Sequence, residues 1–138
     1  MLFDQITKFL SSNYLSFYEA VDVVSPFLSF VLVHNYGAAY GIFENQRLFL
    51  TSVAVVVIIG SIWFQKAIIQ SVFSRYALVF LLAGALGNVL DRVRLGYVVD
   101  FIDITIFPVF NVADICINIA MGLFLLELIY GHKSRKKI

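Results

Sequence analysis

Hydrophobic positions along the chain fall into long runs. From Leu48 to Phe64 it reads LFLTSVAVVVIIGSIWF without a charge, and Trp63 and Phe64 stand just before Lys66, an interfacial aromatic followed by a cation that predicts a transmembrane helix. A second run starts at Tyr76 (YALVFLLAGALGNVL) and stops at Asp91 and Arg92. It is short for a span, and its Gly84 and Gly87 favour close helix contact. The third, Val112 to Tyr130, carries Asp114, Asn118 and Glu127 yet is long enough to cross. Ahead of them, periodicity predicts a helix from Met1 to Leu15 with Asp4 and Lys8 paired one turn apart, reaching only about 22 Å at 1.5 Å per residue. That helix either lacks its first turns or lies shallowly. With no basic segment before its apolar residues, it does not read as a secretory signal peptide.

Two further segments, Pro26 to Asn35 (PFLSFVLVHN) and Gly96 to Ile106 (GYVVDFIDITI), are β-branched and aromatic but too short to cross. They are expected to pair into a small sheet resting over the helix ends, with Gly37, Ala38 and Ala39 forming the loop after the first. An extended peptide is expected to add to this sheet along Phe30 to Val33.

Composition narrows the class. The chain is 61% hydrophobic and 14% charged, against about 45–50% and about 25% in soluble domains, which excludes an ordinary soluble protein. With 14 Phe and 7 Tyr it is not low-complexity either. Its 138 residues hold one integral membrane domain, 1–138, and no separate soluble one. Lys66, Arg75, Lys133, Arg135, Lys136 and Lys137 follow Phe64 or lie in the tail, which puts those parts in the cytoplasm. Glu19, Asp22, Glu44, Asp91, Asp100 and Asp103 then collect on the outer side, against a minority of Arg47, Arg92 and Arg94.

Ionisable groups within or at the ends of spans point to function, and Asp91, Asp100, Asp103 and Asp114 qualify. Asn88 precedes Arg92 by one turn, Asn111 precedes Asp114 by three residues, and both polar faces reach the same outer depth. Asp100 sits among Val98, Val99 and Phe101, so its carboxyl is not simply solvated. Two carboxyls brought together there cannot both ionise cheaply; one holds a proton and the other acts as base, the arrangement of an aspartyl hydrolase. Serine, histidine and metal chemistry are weaker readings, because Ser25 and Ser29 lack a base, His34 lacks a neighbouring ligand and Cys116 is alone. Alternatives remain: Asp91 as an ion pair with Arg92, Asp114 as a helix cap, Asp103 as an exposed surface group, Glu127 as a cap near the inner surface. A small transporter or channel using Asp100 and Asp114 as an ion site would need a polar path inward, for which Ser52, Ser61, Asn118 and Glu127 offer little.

Five ordered motifs carry a resemblance over nearly the whole chain: Asp4-Gln5-Ile6-Thr7-Lys8, Asn35-Tyr36-Gly37-Ala38-Ala39-Tyr40, Gly84 through Arg92, Val98-Val99-Asp100-Phe101, and Phe110-Asn111-Val112-Ala113-Asp114. The chain resembles the lipoprotein signal peptidase (signal peptidase II) family of bacterial inner-membrane aspartyl proteases. The resemblance implies a mainly α, four-transmembrane-helix bundle, its first helix short here, with a small outer β-sheet called a β-cradle. It implies Asp100 and Asp114 as catalytic residues, Asn35, Gly37, Asn88, Arg92 and Asn111 as binding or positioning groups, and Asp4 and Lys8 as supports, with Asp91 a structural neighbour. The implied substrate is a diacylglyceryl prolipoprotein cut on the amino side of its lipidated cysteine. No cofactor, metal or nucleic acid is implied; membrane lipid is, and a monomer suffices. The active site is expected near the outer face of the bacterial inner membrane and the C-terminus in the cytoplasm. Family members carry a longer apolar stretch before the Asp-Gln motif, which an upstream start would supply.

Overall fold

The computed structural model describes residues 1–38 and 42–135; Ala39 and Tyr40 of the second motif, and Lys136 and Lys137 of the basic tail, lie outside the described residues. In chain order the elements are α1 (Leu2–Tyr14), β1 (Val21–Val24), β2 (Leu28–Asn35), α2 (Arg47–Trp63), α3 (Gln65–Ile68), α4 (Val72–Arg94), β3 (Val98–Asp103) and α5 (Val112–Arg135). Helix α4 is the centre: it packs along α5 on one side and α2 on the other, while α1 leans on α4, α5 and β3.

Among the described residues two helices are long and apolar enough to cross a membrane, Val72–Arg94 and the Val112–Ile129 part of α5, whereas α2 is a shorter apolar helix. The run that looked short from Tyr76 is extended at its start. Ser71 caps α4, its Oγ accepting from Ser74 N–H at 3.2 Å while Ser74 Oγ accepts from Ser71 N–H at 2.9 Å. This reciprocal cap starts the helix at Val72, and the Ser71 hydroxyl donates in turn to Glu127 of α5. Glu127 thus caps no helix itself but accepts from the serine that caps α4. The 23 residues of α4 extend about 34 Å at 1.5 Å per residue, matching a hydrocarbon core of about 30 Å.

Helix α1 matches its predicted extent and is inside out. It buries Asp4, Lys8 and Ser11 and exposes Leu2, Phe3, Ile6, Phe9 and Tyr14. An apolar outer face around a polar inner one is stable only where the surroundings are themselves apolar, as in lipid. Large apolar side chains on the outside of α2 and α5, among them Val56, Trp63, Leu125 and Leu128, repeat the pattern.

The two predicted strand segments do pair, and β1 joins them to give an antiparallel sheet in the order β1-β2-β3. The expectation that a peptide adds along Phe30 to Val33 is not supported by this order. β2 is the central strand, with Phe30 opposite Val21 on one side and Ile102 on the other, and Leu32 bridged by Phe17. Phe30, Leu32 and Val33 thus already have strand or bridge partners. After α4, Gly96 takes a left-handed φ of +94° and its N–H returns to the Arg92 carbonyl at 3.2 Å. This glycine reversal sends the chain straight into β3. His34 of β2 stacks on Tyr97 with ring centroids 3.7 Å apart, and Phe17 meets His34 edge-on at 4.5 Å, tying the segment after α1 to the sheet.

The α4–α5 contact depends on small residues. A Cβ on Gly84 would run into the Ala113 carbonyl oxygen and sit 2.8 Å from Ile117 Cγ1, and one on Gly87 would sit 2.5 Å from Asp4 Oδ2. Around Gly60 of α2 there is open space. Gly84→Ala is therefore expected to destabilise the protein by about 1–3 kcal/mol through overpacking, while Gly60→Ala is expected to be neutral or stabilising by up to about 1 kcal/mol. Thermal unfolding of both variants in one detergent checks the contrast, and equal shifts would contradict it.

Candidate active site

The polar face of α1 sets the site's foundation. Asp4, Lys8 and Asp91 are 1%, 3% and 2% exposed, so these charges have left solvent and each must be paired. Lys8 Nζ lies 2.8 Å from Asp91 Oδ2 and 3.2 Å from Asp4 Oδ2, and donates to Asn88 Oδ1 at 2.9 Å. Gln5 Nε2 donates to Asp91 Oδ1 at 2.9 Å and to the Gly87 carbonyl at 3.3 Å. Asp4 Oδ1 accepts from Ala113 N–H in the first turn of α5 at 2.8 Å, and Asp91 Oδ2 from Val99 N–H in β3 at 3.2 Å. One cluster thereby fastens α1, α4, α5 and β3 together.

Above it, Asp100 and Asp114 arrive by different routes. Asp100 is held by strand register, opposite Val33, with Asn35 opposite Val98. Asp114 is held by helix capping: Asn111 Oδ1 accepts from Asp114 N–H at 3.0 Å while Asp114 Oδ2 accepts from Asn111 N–H at 3.1 Å, a reciprocal cap at the start of α5. Asn111 Nδ2 donates to Asp100 Oδ1 at 2.6 Å, so one asparagine reaches both carboxyls, Asp100 by its side chain and Asp114 by its backbone N–H. Asn35 Nδ2 donates to Asp100 Oδ2 and Asn88 Nδ2 to Asp114 Oδ1, each at 2.8 Å. Arg92 donates to the Gly37 carbonyl at 2.9 Å, and its charge acts on Asp114, Asp100 and Asp91.

Burial pushes the Asp100 carboxyl up to about 7, and the neighbouring Asp114 charge pushes the same way; the hydrogen bonds from Asn35 and Asn111 and the charge of Lys8 pull against both. Such a group holds or releases its proton near neutrality, as acid–base chemistry requires. Both carboxyls line a cavity of about 570 Å³ whose other walls include Asn88, Arg92, Phe107 and Ile117. The two carboxyls thus share a largely apolar chamber with Asn35, Asn88, Arg92 and Asn118.

Of the residues singled out in the sequence, Asp100, Asp114, Asn35, Asn88 and Arg92 line the cavity. Asn111 lies between the carboxyls, Gly37 receives Arg92, and Asp4 and Lys8 lie in the cluster beneath. The capping role offered as an alternative for Asp114 is present together with its place in the cavity wall. Asp91 does not pair with Arg92: it pairs with Lys8, because the helix turns the two neighbours to different sides. Asp103 is half-buried rather than exposed and accepts from Thr105 N–H at 2.9 Å. Sequence reasoning missed Gln5 and the hub position of Asp91. The available signal was the polar stripe at 4, 5, 8 and 11 in an otherwise apolar helix. It also missed the apolar wall supplied by Ile104, Phe107, Pro108 and Val109, which carries no motif.

Residues 1–130 match the family described as Signal peptidase (SPase) II. A lipoprotein signal peptidase of Acinetobacter baumannii (strain ATCC 17978) is 39% identical over 99% of this chain and 82% of its own length. One of Caldanaerobacter subterraneus subsp. tengcongensis is 46% identical over 80% of this chain and 77% of its own. Two solved structures, each described as a bacterial membrane enzyme, superpose with TM-scores of 0.90 and 0.81 at 33% and 35% identity. They cover 99% and 92% of this chain, and 87% and 85% of their own.

The raised Asp100 has a stability consequence with a definite sign. Below its ordinary value of 3.8 folded and unfolded chains both hold the proton; between 3.8 and about 7 only the folded chain does. Its contribution to stability therefore declines as pH rises through that window. Relative to Asp100→Asn, the wild type is expected to lose melting temperature from pH 4 to pH 7 in detergent; parallel curves would contradict this.

Proposed function

The chain belongs to the signal peptidase II family, and from that premise we propose that it is an aspartyl endopeptidase removing signal peptides from prolipoproteins, with Asp100 and Asp114 as its catalytic pair. The observation that carries this reading is the single buried Asn111 side chain bonded to Asp100 and to the Asp114 backbone, behind two carboxyls that both line one largely apolar cavity. Asp114, ionised, takes a proton from water as its oxygen bonds to the scissile carbonyl carbon. Asp100, protonated, gives its proton to the carbonyl oxygen. The tetrahedral intermediate then collapses: its hydroxyl proton returns to Asp100, the C–N bond breaks, and Asp114 passes its proton to the leaving amine. The pair ends as it began.

Asn35 and Asn111 hold Asp100, Asn88 holds Asp114, and Arg92 ties the Gly37 segment to the cavity rim. Asp4 and Lys8 support them from α1. The apolar walls suit a diacylglyceryl-modified cysteine, with the cut on its amino side; each buried CH₂ contributes about 0.8 kcal/mol to lipid affinity. The whole chain acts as one membrane domain and as a monomer. Its apolar exterior supports α1 and α2 completing a four-helix bundle with α4 and α5 in the bacterial inner membrane. The sheet and the catalytic pair face outward, and the cations after α2 and in the tail keep both termini cytoplasmic.

Cleavage of a diacylglyceryl prolipoprotein in reconstituted membranes tests the reading. Asp100→Asn and Asp114→Asn are each expected to lower the rate by about 10²–10⁴-fold while remaining folded. With Asp100 titrating at about 7, kcat/KM is expected to fall above that pH as the proton donor is lost. Full cleavage by either folded variant would refute the pair.

A further inference from the structure

Three asparagines present their amides to the two carboxyls, and each is oriented by a donor that cannot reverse. The side-chain carbonyl of Asn35 accepts from Gly37 N–H at 2.9 Å, that of Asn111 from Asp114 N–H at 3.0 Å, and that of Asn88 from the Lys8 ammonium at 2.9 Å. Backbone N–H and ammonium groups only donate. The NH₂ ends are therefore turned on the carboxyls, Asn35 and Asn111 on Asp100 and Asn88 on Asp114. Two of these anchors are backbone. The third is a side chain from another helix, and its bond is charge-assisted, about twice as strong as a neutral one.

We propose that Lys8 is a positioning residue for the reaction: by holding the carbonyl end of Asn88, it turns that amide's NH₂ onto Asp114 and keeps Asp114 the proton acceptor of the pair. This rests on the reading of Asp100 and Asp114 as catalytic. Asp114 then meets a donor on each oxygen, Asn88 Nδ2 on Oδ1 and Asn111 N–H on Oδ2, as Asp100 does from Asn111 and Asn35, so losing the Asn88 donor tips the pair toward a protonated Asp114. Once unpinned, Asn88 keeps only the 3.2 Å bond that Asn111 Nδ2, already engaged by Asp100, donates to its carbonyl. Rotated half a turn, it presents that oxygen to Asp114, a contact satisfied only when Asp114 is protonated. The pinned and unpinned states differ in which member takes the proton from water.

The charged groups facing the pair are Asp4 and Lys8 from α1 and Asp91 and Arg92 from α4; β2 contributes the amide of Asn35, while its His34 is engaged with Tyr97 and Phe17. Removing Lys8 alone would strip a charge as well as a hydrogen bond, and would leave Asp4 and Asp91 buried without their cation. The double change Lys8→Met/Asp91→Asn removes one charge of each sign, keeping the local net charge while releasing Asn88, and leaves Asp4 its bonds from Ala113 N–H and Gln5 Nε2. Asp91→Asn alone keeps the pin.

The test is the pH profile of kcat/KM on a synthetic diacylglyceryl lipopeptide in lipid nanodiscs, for the wild type, Asp91→Asn, Lys8→Met/Asp91→Asn and Asn88→Ala. The acid limb is expected to move upward by about one pH unit in the double variant and in Asn88→Ala, and to stay in place in Asp91→Asn. An acid limb unmoved in the double variant, however far its rate falls, would reduce Lys8 to structural support and overturn the proposal. So would an equal displacement in Asp91→Asn. If the double variant does not fold, an unmoved limb in Asn88→Ala overturns it instead. Asp100→Asn and Asp114→Asn run alongside: cleavage surviving in either refutes the catalytic pair itself, whereas their inactivity with unmoved limbs refutes only the role of Lys8.

Discussion

A buried ammonium has to be paired with opposite charge, and here the pairing holds the protein together. Lys8 has Asp91, Asp4 and Asn88 around its Nζ, and each partner spends its other atoms on a different element. Asp4 accepts from the first turn of α5, Asp91 from β3, and Asn88 donates to Asp114. Breaking a buried pair by losing one partner typically costs about 3–5 kcal/mol, because the surviving charge is stranded away from water. The cluster therefore fixes how α1, α4, α5 and β3 meet, and it reaches the cavity wall through Asn88.

The exterior obeys the opposite rule. Apolar side chains on α1, α2 and α5 point outward, so contact between the helices draws on close fit and polar pairing as well as on burial of apolar area. Gly84 and Gly87 give α4 the flat face on which α5 and Asp4 can approach. Asp100 and Asp114 are then located by two independent devices, strand register and a helix cap. Neither depends on a flexible loop.

Much of this was readable along the chain. Span length, the i,i+4 pairing of Asp4 with Lys8, the strand character of Pro26 to Asn35 and the reciprocal spacing of Asn111 and Asp114 are local properties, fixed by residues within a turn or a few strand positions of one another. Asp91, Asp100, Asp103 and Asp114 stood out because carboxyls at span ends are costly unless used; the resemblance of the motifs chose Asp100 and Asp114 among them. The start of α4 was harder to read: the capping serines lie among Gln70, Ser71 and Arg75, where hydropathy falls and the helix nevertheless begins.

What the sequence by itself determined is the class of molecule, its elements and the chemical types at its site, since hydrophobic length and local hydrogen bonding act over short stretches of chain. Only the tertiary structure decided the partners. Lys8 reaches Asn88 across 80 positions, Gln5 reaches Asp91 across 86, and Asp4 reaches Ala113 across 109. Arg92 is turned from its neighbour Asp91 to Gly37, and β2 becomes the central strand because β1 pairs beside it. Burial makes such pairings obligatory without naming the partners; that choice follows from which helices approach closely enough to exclude water between them.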